Sequence, residues 1–410
     1  MLRAYKYRLY PTAEQRDFLA QTFGNVRRVY NLALDMRCMF WNGAEQSVSR
    51  FATQAQLVEW KEMYPYLALS NSQSLQYAVK QVDDAFTNWW KYGARHPLPK
   101  RKRDRQSFHN PQHCSVDWKA KTLTIPKCKD IPIVLHRPFY GSIKDVTVSL
   151  NPDGKYYASV LVDTAIQPEA CRSVETSTTI GIDTGVKTFA VCSDGREFPT
   201  PHFAKAQSRR LKHYQRELRL KQKGSKGREE TLRHIAKIQG HVANQRLDYI
   251  HKVTYGLTHD SQVRTICIED LNVKGMMHNH HLAYSLADAG IGKFYDILRY
   301  KCGWYGVNLV TIGRWDASSK TCSVCGEVNR SLKLSDRQWT CVCCGTYHDR
   351  DYNAAINIKS FGLRQTLPGD NREVTPVDCP PVDDRRLAGL RSSGRLRQEK
   401  FRGATDAPAL

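Results

Sequence analysis

Residues 181–191 read GIDTGVKTFAV, and this stretch decides the fold. Thr179–Asp183 and Lys187–Ser193 are apolar runs of strand length, turned by Asp194-Gly195. They predict two strands, with a carboxylate closing the first. Residues 266–276, ICIEDLNVKGM, place Glu269 at the end of a second apolar strand, Val263–Glu269. Residues 348–358, HDRDYNAAINI, place Asp351 just ahead of a helix starting near Asn353. In an α/β sheet, strand ends and helix starts converge on one edge. Three carboxylates gathered there repel one another unless cations neutralise them. Magnesium, a hard ion that prefers carboxylate oxygen, is the expected cation. Two such ions can activate a water and stabilise the leaving oxygen of a phosphodiester. Asp183, Glu269 and Asp351 are therefore the expected catalytic and magnesium-binding residues. Each alone reads more simply as a cap or a surface group; the set carries the inference. Asp349 reads as a decoy.

Between the second and third acidic segments stand TCSVCG and CVCCG, separated by the fifteen residues Gly326–Thr340. Cys322, Cys325, Cys341 and Cys344 give C-x2-C-x15-C-x2-C, the spacing of a tetrahedral structural zinc site. Gly326 and Gly345 follow the pairs, as tight knuckle turns favour. Cys343 competes with Cys344, and the x2 spacing with its following glycine favours Cys344. Four thiolates leave no open position, so no catalytic role goes to the zinc.

The chain has 410 residues, 62 Lys+Arg against 40 Asp+Glu, and a net charge of +22. Such a clustered positive charge points to a polyanionic partner, nucleic acid above all. No run of eighteen apolar residues appears, which excludes a membrane-spanning helix. The opening MLRAYKYRLYPT has no apolar signal region, so a cytoplasmic location is expected. In that compartment the cysteines outside the knuckles are expected as free thiols.

Arg3–Tyr10 reads as a strand. Thr12 and Gln15 form a capping box before a helix with Phe18, Thr22, Val26, Val29 and Ala33 at helical spacing. Further helix is expected over 53–64 and 72–92. The aromatics of these helices read mostly as core, with some able to stack on bases. HPLPKRKRDRQ then interrupts, with five of the six residues Lys100–Arg105 basic. That run is a solvated loop or a phosphate-binding connector. Short strands follow to about residue 163, with Asn151-Pro152-Asp153-Gly154 as a hairpin turn. Closed by the N-terminal strand, they predict a small β-barrel. A polar linker leads into the second lobe. Pro201–Asp260 reads as a basic helical hairpin broken at Lys223-Gly224-Ser225. The tail after residue 361, rich in Pro, Gly, Arg and Asp, reads as disordered.

On these segments the chain resembles TnpB, the RNA-guided DNA endonuclease encoded by insertion sequences and related to type V CRISPR effectors. The resemblance covers AYKYRLYPTAEQ, FGNVRRVYN, HPLPKRKRDRQSF, the three acidic segments, ANQR, LADAGIGKF, SSKTCSVCG and WTCVCCG. The approach RWDASSKTC departs from the aromatic-Pro approach usual before the knuckle.

The resemblance implies an α+β multidomain fold: a β-barrel wedge domain with an inserted helical recognition domain, then a RuvC-like RNase H fold α/β domain with a zinc-finger insertion. The corresponding spans are 1–12 with 96–165 for the wedge, 13–95 for the recognition domain and 166–178 for a linker. RuvC falls on 179–320 with 346–361, the zinc finger on 321–345, and a tail on 362–410. It places the family's Asp-Glu-Asp triad on Asp183, Glu269 and Asp351. It implies a guide RNA, a double-stranded DNA target with a short adjacent motif, no membrane partner, and one protein chain per RNA. Ser72, Gln76, Phe108 and Asn110, joined by Phe51 and Thr53, fall where the family reads that motif. Lys100, Arg101, Lys102 and Arg103 fall on the guide-binding surface. The expected activity is magnesium-dependent DNA cleavage with structural zinc. The alternatives are an RNA-guided repressor, against which the intact triad argues, and a compact type V CRISPR effector.

Overall fold

The computed structural model describes residues 1–366 except Leu334. The first half begins with strand β1 (Leu2–Leu9) and helices α1 (Ala13–Ala44), α2 (Arg50–Ala55), α3 (Leu57–Met63) and α4 (Ser72–Tyr92). Thr12 and Gln15 make the expected capping box: the Thr12 hydroxyl accepts from Gln15 N–H, and the Gln15 side chain accepts from Thr12 N–H. The helix expected over 53–64 is instead two short ones. Strands follow: β2 (Gln106–Asn110), β3 (Ser115–Asp117), β4 (Thr122–Ile125), β5 (Cys128–Val134), β6 (Ser142–Leu150) and β7 (Tyr156–Asp163). The Asn151–Gly154 turn joins β6 to β7, with Gly154 at φ 80°.

These strands make one sheet in the order β2-β6-β7-β1-β5-β4-β3. The expected closed barrel is not formed: β2 pairs only with β6, β3 pairs only with β4, and the two end strands do not meet. Barrel closure needs those edges to bond. Helices α1 and α4 pack on β2 instead, with Phe108 edge-on to Phe23 at 5.2 Å and the Ser74 hydroxyl donating to Asn110 Oδ1 at 2.9 Å. At the other end, β3 has three residues and stops at a turn where Asp117 accepts from Lys119 and Ala120 N–H. The expected N-terminal strand lies inside the sheet, between β7 and β5.

The second half holds β8 (Thr179–Thr184), β9 (Thr188–Cys192), β10 (Glu197–Pro199), helices α5 (Phe203–Ala206), α6 (Ser208–Leu220) and α7 (Lys226–Thr258), then β11 (Thr265–Glu269). After α8 (Val273–Met276), α9 (His280–Ala289) and α10 (Ile291–Trp304) come β12 (Asn308–Ile312), β13 (Gln338–Thr340), β14 (Tyr347–Asp349) and α11 (Arg350–Thr366). Helices α9 and α10 are separated at Gly290, which sits at φ 74°. The sheet order is β10-β9-β8-β11-β12, with β8, β11 and β12 parallel and β9 antiparallel to β8. This is a RuvC-like mixed sheet. Helix α11 runs to Thr366, past the boundary expected at 361. The rest of the expected tail, 367–410, lies outside the described residues.

Helix α11 packs on β8 and β11 at two glycines. A Cβ added to Gly181 would lie 2.1 Å from the Ala355 carbonyl oxygen and 2.5 Å from Lys359 N. One added to Gly362 would lie 2.3 Å from Cys267 Sγ. Gly181 and Cys267 are register partners on neighbouring strands, so one face of the sheet receives the helix. Gly181→Ala should destabilise the protein by about 1–3 kcal/mol through overpacking. Gly256→Ala is the control: it lies within exposed helix with nothing within 4 Å, and should raise stability slightly. Thermal melts of the two variants check this, with only Gly181→Ala lowering the midpoint.

Candidate active site

The parallel register of β8 and β11 pairs Ile182 with Ile268, so the next residues, Asp183 and Glu269, stand side by side at the strand ends. Neighbouring strands lie about 4.8 Å apart. Helix α11 runs against β8 in the opposite sense, which brings its first turn, with Asp351, towards the same edge. Asp183 registers all three acids. Burial, then the charges of Glu269 and Asp351, push its carboxyl up to about 8, with Arg350 opposing. Burial also raises Glu269, while the Ser318 hydroxyl, which donates to Glu269 Oε1, lowers it. Asp351 faces Arg337 at 3.5 Å. Beside Asp183, the Thr184 hydroxyl meets the Tyr295 hydroxyl at 2.6 Å. Ser318 and Tyr295 are site neighbours that sequence reasoning missed; nothing in their spacing signals them.

Asp349 has another task. Its Oδ1 accepts from Asp351 N–H at 3.0 Å and Tyr352 N–H at 3.1 Å, capping α11.

The cysteine module forms two matched turns. Cys322 N–H donates to Glu327 O and Gly326 N–H to Cys322 O; Cys341 N–H donates to Thr346 O and Gly345 N–H to Cys341 O. Gly326 and Gly345 take φ of 81° and 71°, a conformation natural to glycine. The sulfurs of Cys322, Cys325, Cys341 and Cys344 lie within 4.8 Å of one another. The pairs Cys322–Cys344 and Cys325–Cys341 are each 3.6 Å apart. Tetrahedral zinc with 2.3 Å bonds would set its sulfurs about 3.8 Å apart. The donor set therefore fits a structural metal. Cys343 is exposed and outside the cluster. Among the described residues, these four thiols are the group of three or more His, Cys, Asp or Glu drawn together tightly enough to hold a metal. The three carboxylates form a looser set whose hard oxygen donors suit magnesium.

The remaining expected residues divide by exposure. Phe51, Ser72, Gln76, Arg101, Lys102 and Arg103 are exposed. Thr53, Phe108 and Asn110 are buried. The Lys100 amine donates to Gln81 at 2.7 Å and lies 4.0 Å from the Tyr30 ring centroid. Burial pulls it down to about 8. Of the N-terminal aromatics, Tyr30 and Trp60 are core, while Trp41 and Trp90 are exposed and line a cavity of about 190 Å³. The basic hairpin exposes Arg209, Arg210, Lys212, Arg216, Arg219, Lys223, Arg233 and Lys237.

Comparison with known proteins agrees with this geometry. Family profiles described as "Cas12f1-like, TNB domain", "Probable transposase" and "Helix-turn-helix domain" match residues 292–358, 159–280 and 1–41. Residues 1–41 form β1 and most of α1 rather than two helices joined by a turn. A putative RNA-guided DNA endonuclease of Streptomyces pristinaespiralis is 36% identical over 100% of this chain and 98% of its own length. The putative RNA-guided DNA endonuclease InsQ of Escherichia coli K12 is 29% identical over 88% of this chain and 92% of its own. The fold is similar to that of Cas12f1 in a Cas12f1–sgRNA–target DNA complex, with TM-score 0.56 and 13% identity over 88% of this chain and 98% of that one. End-to-end similarity at this level settles the relationship: the chain belongs to the TnpB- and Cas12f-like family of transposon-encoded RNA-guided DNA endonucleases.

Proposed function

We propose that Asp183, Glu269 and Asp351 carry out the DNA cleavage of this RNA-guided endonuclease, and that Cys322, Cys325, Cys341 and Cys344 hold structural zinc. The activity is hydrolysis of a DNA phosphodiester, and the partners are a guide RNA and target DNA. The observation that carries the reading is Asp183, a half-buried carboxyl at a strand end that feels both other acids. A partly desolvated acid beside two other acids stays charged most readily when cations offset it. Bound magnesium would supply an activated water and stabilise the leaving oxygen. The protein's own part is to hold the three carboxylates. The Ser318 hydroxyl orients Glu269, the cap on α11 fixes Asp351, and the sheet register fixes Asp183 beside Glu269.

Target choice falls to base pairing with the guide, and the short adjacent motif to protein side chains. Phe51, Ser72 and Gln76 are exposed for that reading. Thr53, Phe108 and Asn110 would act from inside, by holding α2, α4 and β2 in place. Arg101, Lys102 and Arg103 and the hairpin α6–α7 would meet phosphates, while Lys100 shapes the connector. The spans 1–12 with 96–165, 13–95, 166–178, 179–320 with 346–361, and 321–345 are the proposed working units. One chain per RNA, in the cytoplasm, completes the reading; among the described residues no helix is long and apolar enough to cross a membrane.

Asp183→Ala, Glu269→Ala and Asp351→Ala should each reduce plasmid cleavage to background while guide RNA and target DNA still bind in a gel-shift assay. Asp349→Asn, which keeps a capping side chain, should cleave like the parent, whereas Asp349→Ala costs about 1 kcal/mol of helix cap. Parental cleavage by Asp183→Ala would overturn the assignment.

Metal analysis of the purified protein should find one zinc per chain. Cys322→Ser or Cys341→Ser should lower that content and the thermal midpoint, since ligation contributes folding energy. Cys343→Ser should be milder than Cys344→Ser, given the exposed position of Cys343 outside the cluster.

Replacing Arg101, Lys102 and Arg103 with alanine should weaken RNA binding. Each lost phosphate contact should lower the slope of log affinity against log salt by roughly 0.7–0.9. Filter binding across a salt series reads the change, and an unaltered slope would make the run a solvated loop.

A further inference from the structure

The chain entering the first knuckle touches both the catalytic sheet edge and the helix that carries Asp351. At one end of it, Ser318 is buried and its hydroxyl donates to Glu269 Oε1. Its carbonyl accepts from Asn357 Nδ2 at 2.7 Å, and the same amide donates to Thr321 O at 2.6 Å. Asn353 Nδ2 reaches Thr321 O at 2.8 Å, and Asn353 Oδ1 accepts from Ser323 N–H at 3.0 Å. Both asparagines are buried on α11, two and six residues beyond Asp351. Within the segment, Thr321 N–H and its hydroxyl both bond Ala317 O, at 3.0 and 2.8 Å, which tightens it into a turn. Cys322, the first thiol of the cluster, follows directly.

Buried side-chain amides bonded to backbone carbonyls are costly to break, because the partners left behind are unsatisfied. The turn therefore has one favoured position relative to α11. The Ser318 hydroxyl is carried by that turn, so it too has one position. A carboxylate oxygen that accepts a fixed donor loses rotational freedom and turns its other oxygen in a fixed direction.

We propose that Ser318 is a positioning residue for Glu269, and that the knuckle, through the turn 317–321 and its Asn353 and Asn357 anchors, sets the geometry of the catalytic edge. The cysteine module is then a brace for cleavage as well as a folded unit of its own. The inference rests on the function proposed above for Glu269.

The test compares Ser318→Ala, Ser318→Thr and Glu269→Gln in the full chain with its guide RNA. Groups that hydrogen-bond a metal ligand typically contribute 10–100-fold. Ser318→Ala should therefore cleave about 10–100-fold more slowly in limiting magnesium and need more of it for half-maximal rate. A second readout avoids turnover: magnesium should raise the thermal midpoint of the Ser318→Ala complex less than that of the parent. Zinc content and guided DNA binding should stay parental. Ser318→Thr, which keeps the hydroxyl, should restore both rate and magnesium dependence. The proposal fails if Ser318→Ala keeps the parental magnesium dependence, if it loses zinc or DNA binding, or if Ser318→Thr does not restore the function. Glu269→Gln separates the two readings. If it is inactive while Ser318→Ala is parental, only the positioning role fails; if it cleaves normally, the assignment of Glu269 itself fails.

Discussion

Helix α11 meets the sheet backbone to backbone at Gly181, where even a methyl group would sit 2.1 Å from a carbonyl oxygen. That close approach sets the position of the Asp351 end of the helix. The same helix faces the cysteine module with Asn353 and Asn357, so one rigid element ties sheet, third carboxylate and knuckle together. Helix α11 is itself capped by Asp349, whose Oδ1 accepts from Asp351 and Tyr352 N–H, and the positive end of its dipole favours negative charge there. The active edge therefore owes its shape to one interface in which glycine is used for proximity.

Electrostatics works against that edge in the free protein. Burial and the charges of Glu269 and Asp351 raise Asp183, and burial and the charge of Asp316 raise Glu269. Arg350 and Arg337 offset part of the repulsion from the knuckle side. The exposed positive charge lies elsewhere, on the connector and the basic hairpin. In the proposed function, this separation lets nucleic acid be held without neutralising the three acids.

Much of this was legible in local pattern. The capping box at Thr12, the hairpin turn at Asn151–Gly154, the knuckle spacing and the strand-ending acids all depend on residues a few positions apart. The reading of the first sheet as a barrel went wrong because closure depends on which long-range partner wins a strand edge. Strands of suitable number and alternation are common to open and closed sheets. Here the face of β2 is taken by Phe23 and Ser74, from helices distant in sequence, and β3 is too short to reach across.

The sequence by itself determined the family and the residues available for chemistry: three acids in three segments, four thiols at knuckle spacing, a surplus of positive charge, and a resemblance that spans nearly the whole chain. Such features survive as residue type and spacing, because hard oxygen and soft sulfur donors announce their ligands wherever they stand. Tertiary structure alone decided what stands beside those residues. It put Lys100 against Tyr30 and Gln81 rather than in solvent, turned Asp349 into a helix cap, buried Thr53, Phe108 and Asn110, and brought Ser318 to Glu269 across 49 residues of chain. Those outcomes follow from packing between distant segments, and no local pattern encodes a contact whose partner is chosen only when the whole chain has folded.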